Sequence, residues 1–198
     1  PLPMGDPRCD VAPDGHAIVA AGAEVRQLDV ATGTARARAE LPAAATALAI
    51  APDGLIAVGT VAGELVVWRP GDPPTVIAAA HPGGIREVRF VDGGGGLLSG
   101  GVDGRAVAWT IVADRATAPR AWFVAAGTTV NGFLPVAEDG RIAIATSAGL
   151  TRIDAHATTL LGGGATVTLE GVGAVAQLRP GWIGPLAALS AGGGRLLD

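Results

Sequence analysis

The chain has 198 residues, of which 49% are hydrophobic and 16% are charged, so it can bury a core and is not disordered. Its net charge of −4 and its lack of lysine argue against a nucleic-acid partner, which selects a basic surface. The most apolar stretch, residues 41–63, is interrupted by proline, glycine and aspartate, whereas a membrane-spanning helix needs about 20 largely continuous apolar residues. We therefore predict no membrane span.

A single cysteine, Cys9, cannot form an internal disulfide or a multi-cysteine zinc site, and we expect it to be a small residue on an inner strand. The N-terminal residues lack the charged segment and apolar core of a secretory signal. All 14 basic residues are Arg, a composition typical of bacterial proteins from GC-rich genomes. The sequence thus predicts a cytoplasmic bacterial protein.

Short apolar runs, separated by Asp-Gly and Gly-Gly pairs, predict β-strands joined by tight turns. An Ala-Pro-Asp-Gly turn at residues 12–15 returns at 51–54, and looser copies follow at 91–93, 137–140 and 178–181. Each turn precedes a predicted second strand, and these strands are 16–20, 55–59, 97–101, 141–145 and 183–189. A third strand then ends in a large apolar residue, which is in turn Leu28, Trp68, Trp109, Ile153 and Leu197.

The large apolar residues that end the third strands are separated by 40, 41, 44 and 44 positions. A period of about 40 with four strands in each unit predicts a β-propeller, because each twisted sheet must bury its faces against its neighbours. The predicted fold is therefore all-β, a β-propeller of four-stranded antiparallel blades, with about five blades in this chain. The predicted blades are residues 1–40, 41–80, 81–125, 126–165 and 166–198.

The third unit carries the most complete repeat, with His-Pro-Gly-Gly at residues 81–84, Leu-Ser-Gly-Gly-Val-Asp-Gly at 98–104, and Trp109. This segment resembles a WD-repeat blade, while the rest of the chain matches that family by period and hydrophobic pattern. The resemblance implies one buried, hydrogen-bonded tetrad, made by His81, Ser99, Asp103 and Trp109. Such polar groups lose water when blades pack, so each must find a partner or cost about 1–3 kcal/mol.

The other units depart from the family pattern. The second unit keeps Trp68 but has Val58 and Ala62 where the family has Ser and Asp, and the remaining units lack the Trp. We therefore expect these blades to rely on apolar packing alone.

The resemblance also implies a protein or peptide partner, bound on the narrow face around the central channel. In this family two positions in each blade tend to point there. The corresponding residues of this chain are Arg86, Val102, Thr46, Val61 and Asn131. Arg86 is the only charged member of the set, so we expect it to be the main contact residue.

Three functions are compatible with this resemblance. The first is a non-catalytic WD-repeat scaffold for protein–protein or peptide binding, with no cofactor. The second is the sensor or targeting propeller of a larger bacterial signalling or defence protein, whose effector domain lies outside this chain. The third is a propeller hydrolase or lactonase with a metal in the channel, which the mostly apolar inner strands disfavour.

Two patterns in the sequence resemble catalytic or cofactor motifs. His81, Ser99 and Asp103 have the composition of a catalytic triad, but a serine in mid-strand lacks the exposure that a nucleophile needs. Residues 171–176 fit the dinucleotide pattern G-x-G-x-x-A, but no strand–helix–strand unit surrounds them. We interpret the first as structural and the second as a turn before an inner strand.

The fifth unit stops at Asp198, after a third strand, so the predicted ring lacks an outer strand. Residues 1–6 are one candidate for that strand, because an outer edge tolerates proline. We favour instead a fragment whose remaining blades lie on a missing segment or on a second subunit. An unclosed propeller leaves apolar faces exposed, which predicts association.

Overall fold

A computed structural model describes residues 7–12, 14–123, 127–136 and 141–154, with the strand segments 167–168, 175–179, 186–190 and 193–197. The predicted segment 1–6 lies outside the described residues. Within them the strands form five antiparallel sheets, and the helical content is one 3-10 turn at Asp92–Gly94. None of the described residues belongs to a helix that could span a membrane.

Each sheet is a meander in which every strand pairs antiparallel with the next strand of the chain. The first sheet contains β1 (Arg8–Val11), β2 (His16–Ala21), β3 (Glu24–Asp29) and β4 (Ala35–Glu40). The second contains β5 (Ala45–Ile50), β6 (Ile56–Thr60), β7 (Leu65–Trp68) and β8 (Thr75–Ile77). The third contains β9 (Ile85–Val91), β10 (Gly96–Gly101), β11 (Arg105–Val112) and β12 (Arg115–Phe123).

The fourth sheet contains β13 (Val130–Val136), β14 (Arg141–Thr146), β15 (Gly149–Asp154) and β16 (Val167–Thr168). The fifth contains β17 (Val175–Arg179), β18 (Leu186–Ser190) and β19 (Gly193–Leu197). The fourth sheet thus reaches past residue 165, the predicted end of the fourth unit. Outer strands carry no repeat motif, so their positions follow from the period alone and are the least accurately predicted.

The first strands of successive sheets contact one another in chain order, from β1 through β5, β9 and β13 to β17. These strands therefore form the inner edge of the assembly, and the last strand of each sheet lies outermost. The prediction of an all-β chain built from four-stranded antiparallel sheets is confirmed. No closed ring is found in the described part of the chain.

Apolar clusters fill the spaces between consecutive sheets. One joins Ile18 and Val25 of the first sheet to Val58 and Trp68 of the second. Two further clusters lie between the second and third sheets and between the third and fourth. The middle strands β6, β7 and β10 are buried along their whole length, because a sheet packed on both sides has no solvent face. Each Val or Leu buried in this way contributes about 1.5–3 kcal/mol.

Glycines in the second strands allow the next sheet to approach closely. A Cβ atom on Gly59 would overlap the side chain of Ile85, and one on Gly100 would overlap that of Val130. Both glycines therefore sit where the first strand of the following sheet crosses over them. This close approach fixes the positions of the inner strands, which carry the candidate binding residues.

Candidate functional site

One end of the stacked sheets is built from the turns between second and third strands and from the loops that enter each sheet. We call this end the turn face; it comprises residues 22–23, 44–46, 61–63, 83–86, 102–104, 129–131 and 147–148. The same backbone hydrogen bond recurs there in three sheets, from Val61 N–H to Ala44 O at 2.8 Å, Val102 N–H to Gly84 O at 3.1 Å, and Ser147 N–H to Thr129 O at 3.0 Å.

Further bonds join the turn of one sheet to the loop of the next. Ala45 N–H donates to Gly22 O at 2.8 Å, and His81 N–H donates to Gly63 O at 3.1 Å. Backbone groups paired in this way hold the loops in one conformation. The turn face is therefore a preformed surface that spans several sheets.

All five predicted binding residues belong to this face, and four of them lie around the loop that enters the third sheet. The loop that enters the third sheet runs between two turns and is close to both. A Cβ atom added to Gly84 would lie 2.8 Å from Val61 O, and one added to Gly83 would lie 2.8 Å from Val102 Cγ2. Arg86 follows this loop directly and is exposed. Val61 is 54% exposed, and Val102 is half-buried.

Thr46, the fourth of these residues, is half-buried beside Arg86. Its hydroxyl donates to Ile85 O at 2.5 Å and lies 3.2 Å from Gly59 O. Thr46 therefore links β5 to β9 through its side chain, a contact that the sequence does not predict. Its contribution to a binding face stays a prediction.

Asn131 lies apart from these four residues, on β13 of the fourth sheet. It is half-buried, and β13 contacts β9, the strand that carries Arg86. Its role in binding also stays a prediction.

The structure brings together the four residues of the predicted tetrad directly beneath the turn face. His81 Nδ1 lies 3.0 Å from Asp103 Oδ1, and His81 Nε2 lies 2.8 Å from Ser99 Oγ. The indole N–H of Trp109 donates to the same Ser99 Oγ at 2.9 Å. Arg105 completes the set with its backbone N–H at 3.1 Å and its Nε at 2.7 Å from the Asp103 carboxylate.

The bonding pattern fixes the tautomer of His81. A carboxylate only accepts, so Nδ1 carries the proton and donates to Asp103, and Nε2 accepts from the Ser99 hydroxyl. Ser99 Oγ accepts in turn from Trp109. Ser99 and His81 are fully buried, so this serine has no access to a substrate. The geometry thus supports a structural role and disfavours a nucleophile.

The environment holds this set in one charge state. Burial lowers the pKa of His81 below its usual 6.5, although the Asp103 carboxylate opposes the shift. Burial raises the pKa of Asp103, but hydrogen bonds from His81 and Arg105 outweigh it and lower the pKa below 3.8. Because both folded-state pKa values are lowered, His81 contributes its full stability above about pH 6.5 and Asp103 above about pH 3.8. That stability is lost first at His81 and then at Asp103 as the pH falls.

Polar groups also support the sheets that lack this tetrad, so the expectation of apolar packing alone was wrong. The indole N–H of Trp68 donates to the backbone carbonyl of Asp72 at 3.0 Å. In the turn that follows β6, the Thr60 hydroxyl donates to the Glu64 carboxylate. Thr146 accepts from Gly149 N–H at 3.1 Å in the corresponding turn of the fourth sheet. Short-range hydrogen bonds to nearby groups thus supply polar support in the sheets without the tetrad.

An ion-pair network that the sequence does not predict lies at the opposite end of the sheets. The Arg69 guanidinium donates to Asp114 through Nε at 2.6 Å and Nη2 at 2.8 Å, and to Asp53 Oδ2 at 2.8 Å. These bonds, those to Asp114 first, raise the pKa of Arg69. The network joins the second and third sheets. Asp53 belongs to the repeated turn motif, but Asp114 lies 45 positions from Arg69 and carries no motif.

Charged side chains gather near the inner edge, around Glu87 on β9. Glu87 Oε1 lies 3.9 Å from Arg89 Nη2, and Arg8 of β1 is close enough to act on its charge. Burial raises the pKa of Glu87 to about 7, and the two arginines only partly offset this effect. The Nε atom of Arg89 is buried without a hydrogen-bond partner. Glu87 is therefore poorly compensated when it is ionised.

Replacing Glu87 by Gln should raise the melting temperature at pH 8 by several degrees and change it little at pH 5. The folded-state pKa of about 7 exceeds the usual 4.5, so the folded chain retains a proton between these values and loses stability as the pH rises through them. Thermal unfolding at both pH values tests this, with Glu40→Gln on the exposed outer strand β4 as control. An equal gain at both pH values would contradict the ionisation argument.

No group of three or more His, Cys, Asp or Glu side chains that could hold a metal occurs among the described residues. The first four residues of the dinucleotide-like pattern, 171–174, lie outside the described residues. The segment that follows, Val175–Arg179, is strand β17, whereas that motif needs a helix at this point.

No protein-family model matches the chain, and no curated protein matches it in sequence. In three dimensions the chain is similar to the crystal structure of Sqt1 from Chaetomium thermophilum, a WD40 propeller-type protein, with a TM-score of 0.72 and 15% identity. The match covers 90% of this chain and 52% of that chain, so this chain spans about half the length of Sqt1. The similarity shows that the fold is of the WD-repeat propeller type.

Proposed function

We propose that the chain is a non-catalytic scaffold that binds a protein or peptide partner on the turn face. The observation that carries this proposal is the exposed Arg86, which comes just after a loop packed between Val61 and Val102, on a surface held by repeated backbone hydrogen bonds. A preformed surface loses little conformational entropy when a partner binds.

The chemistry of this surface selects its partner. An exposed guanidinium forms paired hydrogen bonds with a carboxylate, and the flanking valines offer apolar contact. Arg side chains at the centre of an interface often carry much of the binding energy. We therefore expect a partner segment with an acidic residue next to an apolar one.

The same surface also suits the alternative in which this propeller is the sensor or targeting part of a larger bacterial protein. That alternative shares the binding step and adds an effector outside these residues. The buried Ser99 disfavours a serine nucleophile, and the mostly apolar inner strands disfavour a hydrolase or lactonase with a metal in the channel. The proposal also includes a cytoplasmic location, which is inferred from the sequence alone.

Arg86→Glu should weaken partner binding at least about tenfold and leave the melting temperature unchanged. Arg115→Glu is the matched control, because it makes the same charge change at an exposed Arg at the opposite end of the third sheet. Partners captured on the wild-type chain are identified by quantitative mass spectrometry, and their affinities for both variants are then measured by calorimetry. Equal binding by both variants would place the partner on another face.

A further inference from the structure

The first sheet has one face whose packing differs from that of the other sheets. Ile18 and Val25 belong to the cluster shared with the second sheet, so alternate residues of β2 face the other way. Residues that pair directly across two strands share a face of the sheet. Ala17 pairs with Val11 and Leu28, and Val19 pairs with Cys9. We call these five residues, Cys9, Val11, Ala17, Val19 and Leu28, the leading face.

The equivalent face is buried in the following sheets. In the second sheet it carries Ile56, Val58 and Trp68, which are at most 1% exposed and pack on the first sheet. In the third sheet it carries Leu97 and Trp109, which pack on the second sheet, and the fully buried Ser99.

The leading face of the first sheet is open by comparison. Val11 is 63% exposed, Cys9 is exposed, and Ala17, Val19 and Leu28 are half-buried. The stacking that buries two successive leading faces therefore stops at the first sheet in the described part of the chain.

We propose that the leading face of the first sheet packs against a further four-stranded propeller blade of the same protein, supplied from outside these 198 residues. The proposal rests on continuity, since sheets two and three each bury this face against a preceding blade. It agrees with the length of Sqt1, of which this chain spans 52%. This surface is distinct from the turn face and independent of what binds there.

The residues of the leading face define the chemistry of that blade. Leu28 occupies in the first sheet the position that Trp68 and Trp109 occupy in the second and third sheets. Because leucine is smaller than tryptophan, it leaves more space between the first sheet and the facing blade. The facing blade must then present larger apolar side chains than Ala57, which faces the third sheet at the equivalent interface. The Arg26–Glu24 ion pair at 2.8 Å borders the same face through the pairing of Arg26 with Val19.

Cys9 is the only cysteine of these 198 residues and lies on the leading face, so its thiol reports directly on whether the face is covered. The protein from the complete reading frame is treated with a thiol-alkylating reagent at neutral pH. Labelling is quantified on the tryptic peptide that begins at Cys9, which is residues 9–26 in the wild type and residues 9–19 in the Val19→Arg variant. We expect native Cys9 to react at least about tenfold more slowly than in the urea-unfolded protein, at every protein concentration. Val19→Arg should restore rapid labelling by displacing the blade, while Arg38→Glu on outer strand β4 should not.

Two results would overturn the proposal. Rapid labelling of native Cys9 in the complete protein would show that the leading face is open to solvent. Protection that disappears on dilution would show that a second copy covers the face, which light scattering on the same samples would confirm as a dimer. Circular dichroism of Val19→Arg separates displacement of the blade from general unfolding, because only unfolding would remove the β signal.

Discussion

Replacing Asp103 by Ala should lower the free energy of unfolding by about 1–3 kcal/mol, through the loss of a buried acceptor. His81 Nδ1–H and two donors of Arg105 point at this carboxylate, at distances between 2.7 and 3.1 Å. His81 is fully buried, so water cannot replace the lost hydrogen-bond acceptor. For a chain of this size the melting temperature should fall by roughly 2–4 °C for each kcal/mol lost.

Asp72→Ala is the control for this measurement, because Asp72 is an exposed aspartate whose backbone carbonyl, rather than its carboxylate, accepts from Trp68. It should change the melting temperature by less than about 1 °C. Chemical denaturation at pH 7 compares both variants with the wild type. Equal stability of Asp103→Ala and the wild type would show that the tetrad adds nothing to the fold.

The tetrad could be located from the sequence because its parts are constrained by both chemistry and distance. Ser99 and Trp109 lie on paired strands, and Asp103 lies in the turn between those strands, so the three residues are close together in the sequence. Only His81 comes from outside this hairpin, and its loop is bonded to the preceding turn through Gly63. The buried polar groups of a local hairpin can therefore be predicted from a single sequence.

Contacts between different sheets could not be predicted from the sequence in this way. Thr46 and Ile85 are 39 positions apart, and Arg69 and Asp114 are 45 apart, so nothing in either local sequence marks the pairing. The repeat gives the position of each strand within its sheet. The rotation and distance between sheets come from the packed side chains, such as Ile85 over Gly59, and only the structure shows them.

The candidate binding residues show the same difference between what one repeat predicts and what contacts between sheets decide. Arg86 could be proposed as a contact residue because its position in the repeat faces outward. Thr46 was proposed on the same ground, yet its hydroxyl is bonded to a strand of the next sheet. A repeat position predicts the direction of a side chain, and neighbours from another sheet decide whether that side chain remains available.

Gly63→Ala should be the most damaging of the changes considered, at about 3–5 kcal/mol. Gly63 has a φ of +90°, and an added Cβ would overlap the carbonyl of His81. That carbonyl belongs to the backbone, so relief requires moving the loop that places His81 in the tetrad. The substitution should therefore weaken both the junction between the second and third sheets and the bond between His81 and Asp103.

Gly54→Ala separates the steric overlap from backbone strain. Gly54 has a similar φ of +85°, but an added Cβ there would meet no atom within 4 Å. This variant should lose only about 1–2 kcal/mol, the cost of a left-handed conformation for a residue with a side chain. Urea denaturation of both variants gives the difference, which measures the close approach of turn and loop. Equal losses would mean that the loop shifts freely, and the turn face would then be more adaptable than its hydrogen bonds imply.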